Sequence, residues 1–248
     1  MKALPLIALL ALGAVAGTAA ESEPRAPLVL DDLTFTQRAG GYGSDISIRS
    51  DDGDSQVSVD RARLSEAVGL DGGDGPVRFT VAAEAGRTDC QGERKNGKAR
   101  GDCRFVSSPA YETGLAQRGV RLNRRRDLLA LALVDAGLAL VDDLSREGLR
   151  PDDSGDLIAA AALGVTGAWT HDLREAGLAI GDFEDLIAAR ALKVDAAFLR
   201  QMAQAGYPRL TAEQAITMKA VGVTPGYAEA MNRAAEAAHE VAGAGGLQ

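Results

Sequence analysis

Cysteine and histidine are scarce in this chain, and their spacing narrows the chemistry. The two cysteines, Cys90 and Cys103, bound the stretch "CQGERKNGKARGDC", and the two histidines, His171 and His239, are 68 positions apart. A zinc site would need His171, a cysteine and carboxylates to converge from separate segments, and neither ligand number nor spacing fits one. Gly92–Lys98 reads G-E-R-K-N-G-K, but Ala99 stands where a phosphate loop needs a magnesium-binding Ser or Thr. No G-x-S-x-G elbow or S-x-x-K pair is present. The acidic turns "DDGD" and "DGGDG" lack the spacing and distal Glu of a calcium loop and read as solvated turns. No cofactor or metal is implied.

The cysteine stretch reads instead as a staple. Asn96-Gly97 is a strong two-residue hairpin signal, because both residues accept φ > 0. Residues facing each other across that turn have numbers summing to 193, as 90 and 103 do. Counted outward from the hydrogen-bonded pair Lys95/Lys98, Cys90/Cys103 is a non-hydrogen-bonded pair. Side chains approach closest there, which suits a cross-strand disulfide. Closing so short a loop stabilises the fold by about 2–3 kcal/mol. The alternative is a pair of free thiols.

Two basic clusters are the candidate contact residues: Arg94, Lys95, Lys98 and Arg100 at the hairpin tip, and Arg121, Arg124, Arg125 and Arg126 further on. The second is unusual, since Arg124 falls where a helix N-terminus is expected and a cation there opposes the dipole. Internal acids such as Asp152 or Asp153 are one compensation, and an acidic partner surface is the other.

The elements that position these residues begin after an export signal. "MKALPLIALLALGAVAGTAAESEP" has a lysine, a short apolar run and small residues ahead of a cut after Ala20, so residues 1–20 read as a signal peptide. The apolar run is short for a membrane span, and the mature chain is expected to be periplasmic or secreted, without a transmembrane segment. An oxidising compartment suits the disulfide. Removing one lysine takes Lys+Arg from 27 to 26 against 35 Asp+Glu, and the net charge from −8 to −9. An acidic chain is a poor partner for nucleic acid unless its cations cluster. Aromatic residues, at 4%, are too few for an aromatic-lined carbohydrate groove.

Composition changes near Ser107. Residues 21–107 read as a small antiparallel β domain: "DISIRS" and "QVSVD" alternate around "DDGD", "VRFTVAA" puts Val77, Phe79 and Val81 on one face, and "CRFV" does the same for Cys103 and Phe105. A short helix is expected around Ala62–Val68. Residues 108–240 are rich in Ala and Leu and repeat with a period of 29: Leu157/Leu186/Ala215, Val165/Val194/Val223, Trp169/Phe198/Tyr227 and Leu173/Met202/Met231 correspond. Ser108, Gly137, Thr166, Asp195 and Thr224 fit N-caps, as do Asp153, Asp182 and Thr211, while Gly119, Gly148, Gly177 and Gly206 fit helix ends. Each unit is then a helical hairpin, stabilised by its neighbours as in a repeat array, with the aromatic column in the core. Residues 241–248 are expected to form a disordered tail. The fold class is α+β: a disulfide-stapled β domain followed by an α-helical hairpin repeat array.

These units resemble the "LIALRxxGVTPxYxxxLxxAGY" repeats of uncharacterised bacterial exported proteins, which are also appended to sensor-transducer metallopeptidases related to the β-lactam antirepressors. The segment "GPVRFTVAAEAGRTDCQGERKNGKARGDCRFVSS" is similar to what precedes the repeats in such proteins, and the resemblance covers roughly 75–235. It implies architecture. The metallopeptidase's H-E-x-x-H zinc motif has no counterpart, so its activity does not carry over. The expected function is a non-catalytic protein-interaction or sensing module of the cell envelope, partnered by another envelope protein. One alternative is an envelope hydrolase with unidentified catalytic residues. Another is a helix-hairpin-helix-like nucleic-acid binder, disfavoured because Asp195 at the turn would repel phosphate.

Overall fold

The structure is a computed structural model that describes residues 25–38, 46–50 and 56–244. The expected export signal, the "DDGD" segment and residues 245–248 therefore lie outside the described residues.

The first half forms a curled antiparallel sheet. Its seven strands are β1 (Val29–Arg38), β2 (Ile46–Ser50), β3 (Gln56–Val59), β4 (Leu64–Val68), β5 (Gly75–Ala83), β6 (Gly86–Lys95) and β7 (Lys98–Ser107), in the order β3-β2-β1-β7-β6-β5-β4. Alternation sets the buried face: Val77, Phe79 and Val81 on β5, and Ala99, Cys103 and Phe105 on β7. In β1 the parity switches. Leu30 is buried, then Leu33, Phe35 and Gln37, because the register with β7 shifts between Leu30 and Leu33.

The expected helix at Ala62–Val68 is not formed. A single 3-10 turn at Arg61–Arg63 leads directly into edge strand β4, whose Leu64 and Ser65 pair with Val81 and Thr80 of β5. Sheet pairing supplied by a distant strand outweighs the local helical preference of this stretch.

The helices are α1 (Pro109–Gln117), α2 (Asp127–Leu133), α3 (Leu138–Arg146), α4 (Ser154–Leu163), α5 (Gly167–Glu175), α6 (Phe183–Ala191), α7 (Ala196–Gln204), α8 (Ala212–Ala220) and α9 (Pro225–Ala244). α2, "DLLALAL", is apolar nearly all round, which suits a helix buried on every side. It lies against β3, β5, β6 and β7 and packs on α4. One hydrophobic cluster therefore runs across Ser107, joining Phe35, Phe79 and Phe105 of the sheet to Tyr111, Leu115 and Leu128–Leu133. Phe35 and Phe79 meet edge to face at 4.9 Å between ring centres. Arg63 closes the buried end of α2, donating to the carbonyls of Leu133 and Ala132 and pairing with Asp135 at 3.4 Å. The Ala132 carbonyl also accepts from the Asp135 amide at 3.3 Å, so Arg63 chiefly serves the Leu133 carbonyl, which the helix itself leaves open.

The remaining helices lie in two rows, α2-α4-α6-α8 and α1-α3-α5-α7-α9, with successive members of each row in contact. Short polar side chains start them. Ser108, Thr166 and Asp195 accept from the amides of Tyr111, Trp169 and Phe198, and Thr224 accepts from Tyr227. Asp153 and Asp182 cap α4 and α6, and Thr211 with Gln214 forms a reciprocal capping box on α8. Gly137 has no side chain to offer, so Glu84 of the β5–β6 turn reaches over and accepts from the Leu138 amide at 2.8 Å. α9 continues through 241–244, a correction to the tail assignment. The alanine-rich run "RAAEAA" that leads into it has a high helix propensity.

Candidate functional site

The hairpin has the register that its turn dictates. Lys95 faces Lys98 and Cys90 faces Cys103, with both cysteines buried and bonded and their Cα atoms 4.1 Å apart. Asn96 and Gly97 take φ of 51° and 73°. The Asn96 amide is held by Asp74 of the "DGGDG" turn at 2.9 Å, and Asp71 of that turn is bound by Arg61, so both acids serve the fold.

The four cations of this hairpin do not share one surface. Arg94 is only 5% exposed; it points back into the sheet and donates to the carbonyls of Gly69 and Leu70 and to Gln37 Oε1. A charge so enclosed is a structural clamp and presents nothing to a partner. Lys95, Lys98 and Arg100 remain at the surface, with Lys95 paired to Glu93 at 2.6 Å. That bond raises the ammonium's pKa above its ordinary value.

The second cluster pairs with acids inside the molecule. Arg125 grips Glu112 through Nη2 at 2.6 Å and Nε at 3.1 Å, and also holds the Ala26 carbonyl. Arg126 pairs with Asp32 at 2.6 Å, Arg124 with Asp127 at 3.4 Å and Arg121 with Asp153 at 3.9 Å. The conflict between Arg124 and a helix dipole disappears because α2 starts three residues later, at Asp127. The Asp127 carboxylate accepts from the Arg124 amide and from Ser154 Oγ, putting a negative charge in the first turn. Asp153 supplies one of the compensating charges; Asp32, Glu112 and Asp127 supply the rest.

Two recesses stand outside these clusters. The first, about 480 Å³, lies on the sheet and is lined by Asp31, Glu66, Arg78, Asp89, Asp102 and Arg104 among others. Its charges are cross-linked: Arg87 to Asp89 at 2.8 Å and to Glu66 at 3.2 Å, Thr80 to Asp89 at 2.7 Å, and Arg104 to Asp31 at 3.3 Å. Glu66 has φ of 53°, an uncommon conformation for a non-glycine residue. His171 lies between Glu147 (3.6 Å) and Glu175 (3.4 Å) on the helical side. Among the described residues no three His, Cys, Asp or Glu side chains are grouped as a metal site.

The second recess, about 420 Å³, lies between the α4–α5 and α6–α7 turns and is lined by Ala162, Leu163, Arg190, Ala191, Lys193, Val194 and Asp195. Leu163 and Leu192, 37% and 36% exposed, and Val221, 71% exposed, hold the same place in three successive turns. Behind this edge a cation covers two of the three aromatic rings of the column, those of Trp169 and Phe198. Arg190 lies 5.0 Å from the Trp169 ring and Lys219 4.4 Å from the Phe198 ring, again 29 residues apart. Sequence reasoning passed over the edge because it followed the columns expected to be core, an expectation that holds for Phe198 and Met202 but not for Tyr227 and Met231, which are 58% and 50% exposed. The signal was present, as 163, 192 and 221 are apolar at the same period. No family model, curated protein or solved structure matches the chain, so its functional reading rests on these surfaces.

Proposed function

We propose that this protein is an exported, non-catalytic interaction or sensing module of the cell envelope, in which a disulfide-stapled sheet anchors an array of 29-residue helical hairpins. The observation that carries the reading is the row of exposed apolar side chains, Leu163, Leu192 and Val221, repeated along one edge of the stacked helices. Apolar side chains aligned on a rigid surface are the usual mark of a protein-binding site. Cap positions and cation–ring pairs that recur every 29 residues support the array, as does the resemblance to exported repeat proteins. The disulfide fits an oxidising compartment, and among the described residues no helix is long and apolar enough to cross a membrane.

The amides that a helix-hairpin-helix module would turn toward a phosphate, those of Trp169, Phe198 and Tyr227, are already bonded to Thr166, Asp195 and Thr224. The envelope hydrolase is the second reading, on the strength of the carboxylate-lined sheet recess and its strained Glu66. Affinity capture from an envelope fraction separates the two. The interaction reading expects a protein retained by wild type and lost from a Leu163→Asp/Leu192→Asp variant, with a Glu66→Gln/Asp89→Asn variant unaffected. Retention by neither wild type nor variants, together with hydrolysis of envelope material that Glu66→Gln abolishes, supports the hydrolase.

A further inference from the structure

We infer that the turn edge of the helices binds an extended segment of another protein that carries an apolar residue at every third position with acidic residues between. This deepens the interaction reading above and rests on it. The inference begins with spacing. α4, α6 and α8 are direct neighbours in one row and α5, α7 and α9 in the other, so the three connecting turns lie side by side. Packed helices are on the order of 8–10 Å apart. A polyproline-type chain advances ~3.1 Å per residue with three residues per turn, so its every third side chain points the same way at a spacing of ~9 Å. A β-strand would point every third side chain to the opposite face. An extended segment of the first kind thus presents one apolar side chain per turn, the first of them into the recess between Leu163 and Leu192.

Charge complementarity identifies what lies between those side chains. Arg190, Lys193 and Lys219 border the edge. Arg190 holds the Leu163 carbonyl at 2.9 Å and stacks on Trp169, and Lys219 stacks on Phe198. Among the described residues no carboxylate pairs with any of the three, whereas Arg118, Arg125 and Arg174 each have one. The single acid lining the recess, Asp195, is occupied by the Phe198 amide at 2.7 Å. In a chain of net charge −8, this edge combines exposed leucine with three cations for which no carboxylate partner is found among the described residues. Acidic side chains flanking an apolar anchor satisfy both, and the anchor would supply most of the affinity.

The test uses labelled peptides about 12 residues long and the mature disulfide-bonded protein, read by fluorescence anisotropy. One peptide repeats Asp-Leu-Glu, a second Asp-Ser-Glu and a third Lys-Leu-Arg. The expected result is binding of the first alone, weakened about tenfold or more by Leu192→Asp and by Lys193→Glu, and weakened by added salt. Leu192→Ser, a milder change at an exposed site, should act in the same direction with an unaltered circular dichroism spectrum. A Lys98→Ser/Arg100→Ser variant should bind as wild type does. Equal binding of all three peptides, no binding of the first at about 1 mM, or indifference to the edge variants would overturn the inference. So would concentration-dependent self-association abolished by Leu192→Asp, which would make a second copy of this chain the occupant. Loss of peptide binding in the edge variant while it still retains an envelope protein would overturn the edge and leave the interaction reading standing.

Discussion

Phe198 and Tyr227 lie 29 residues apart, each the third residue of its helix, yet one is 5% exposed and the other 58%. Phe198 lies among Leu173, Val194, Met202 and Ala215, with the Lys219 ammonium 4.4 Å from its ring. Replacing it with alanine removes a nearly complete aromatic burial and leaves a cavity that rigid helices on both sides cannot close. The expected cost is about 3–5 kcal/mol, of which the cation over the ring supplies roughly 0.5–1. Tyr227→Ala removes a ring that is more than half in water, and the expected cost is about 1 kcal/mol. Urea unfolding followed at 222 nm gives both values, provided the slope against denaturant is unchanged so that the midpoints report stability. A loss below about 1 kcal/mol for Phe198→Ala would refute the packing argument, and so would equal losses for the two variants, because only the covering helices distinguish the sites.

Other outcomes follow from single contacts. Unreduced denatured protein should show no free thiol, and Cys90→Ala should lower stability by about 2–3 kcal/mol; two titratable thiols per chain would contradict the staple. Arg63→Met, which takes the side-chain donor from the Leu133 carbonyl at the end of buried α2, and Arg94→Met, which frees those of Gly69 and Leu70, should each cost about 2–4 kcal/mol. Lys98→Ser should cost less than about 0.5, and comparable losses for all three would show that exposure does not sort these cations. The hydrogen bond from Arg118, with burial opposing it, holds the Asp142 carboxyl below its ordinary value, as Arg61 does for Asp71. Depressed folded values mean that these pairs contribute stability above the unfolded carboxylate range near 4 and lose it as pH falls through the folded values. Carboxyl carbon shifts of Asp142 should therefore titrate with a midpoint below about 3.9, and a midpoint at or above that value would contradict the pairing.

What could be read from the sequence was what local chemistry decides. The Asn96-Gly97 turn fixes a register, and with it the partnership of Cys90 and Cys103, without reference to any other part of the chain. The caps Ser108, Asp153, Thr166 and Thr211 act on amides two or three residues away, so their positions mark helix starts directly. Long-range contacts decided the rest. Extending the period back to Arg124 misplaced the start of α2, because that helix is a plug for the sheet and begins where Asp127 meets Ser154, 27 residues on. Its own sequence, apolar on every face, carried that information. Arg94 looked like a tip residue because strand parity does not reveal that the loop carbonyls of Gly69 and Leu70 lie over it. Arg63 was invisible as a cap for the same reason, since its partners are about 70 residues away. Of the candidate contacts, Lys95, Lys98 and Arg100 are still at the surface, Arg121 and Arg124 are exposed beside an acid, and Arg94, Arg125 and Arg126 serve the fold.

The claim that the helical edge is where this protein meets its partner is tested most directly by site-specific photo-crosslinking in intact cells. A photo-reactive residue would replace Leu192 on the edge, Arg100 on the hairpin or Arg78 at the sheet recess, each in an otherwise wild-type chain. A discrete protein adduct formed from position 192 and absent from 78 and 100 is the predicted result. Adducts from position 78 or 100 with none from 192 would contradict it and move the site to the sheet.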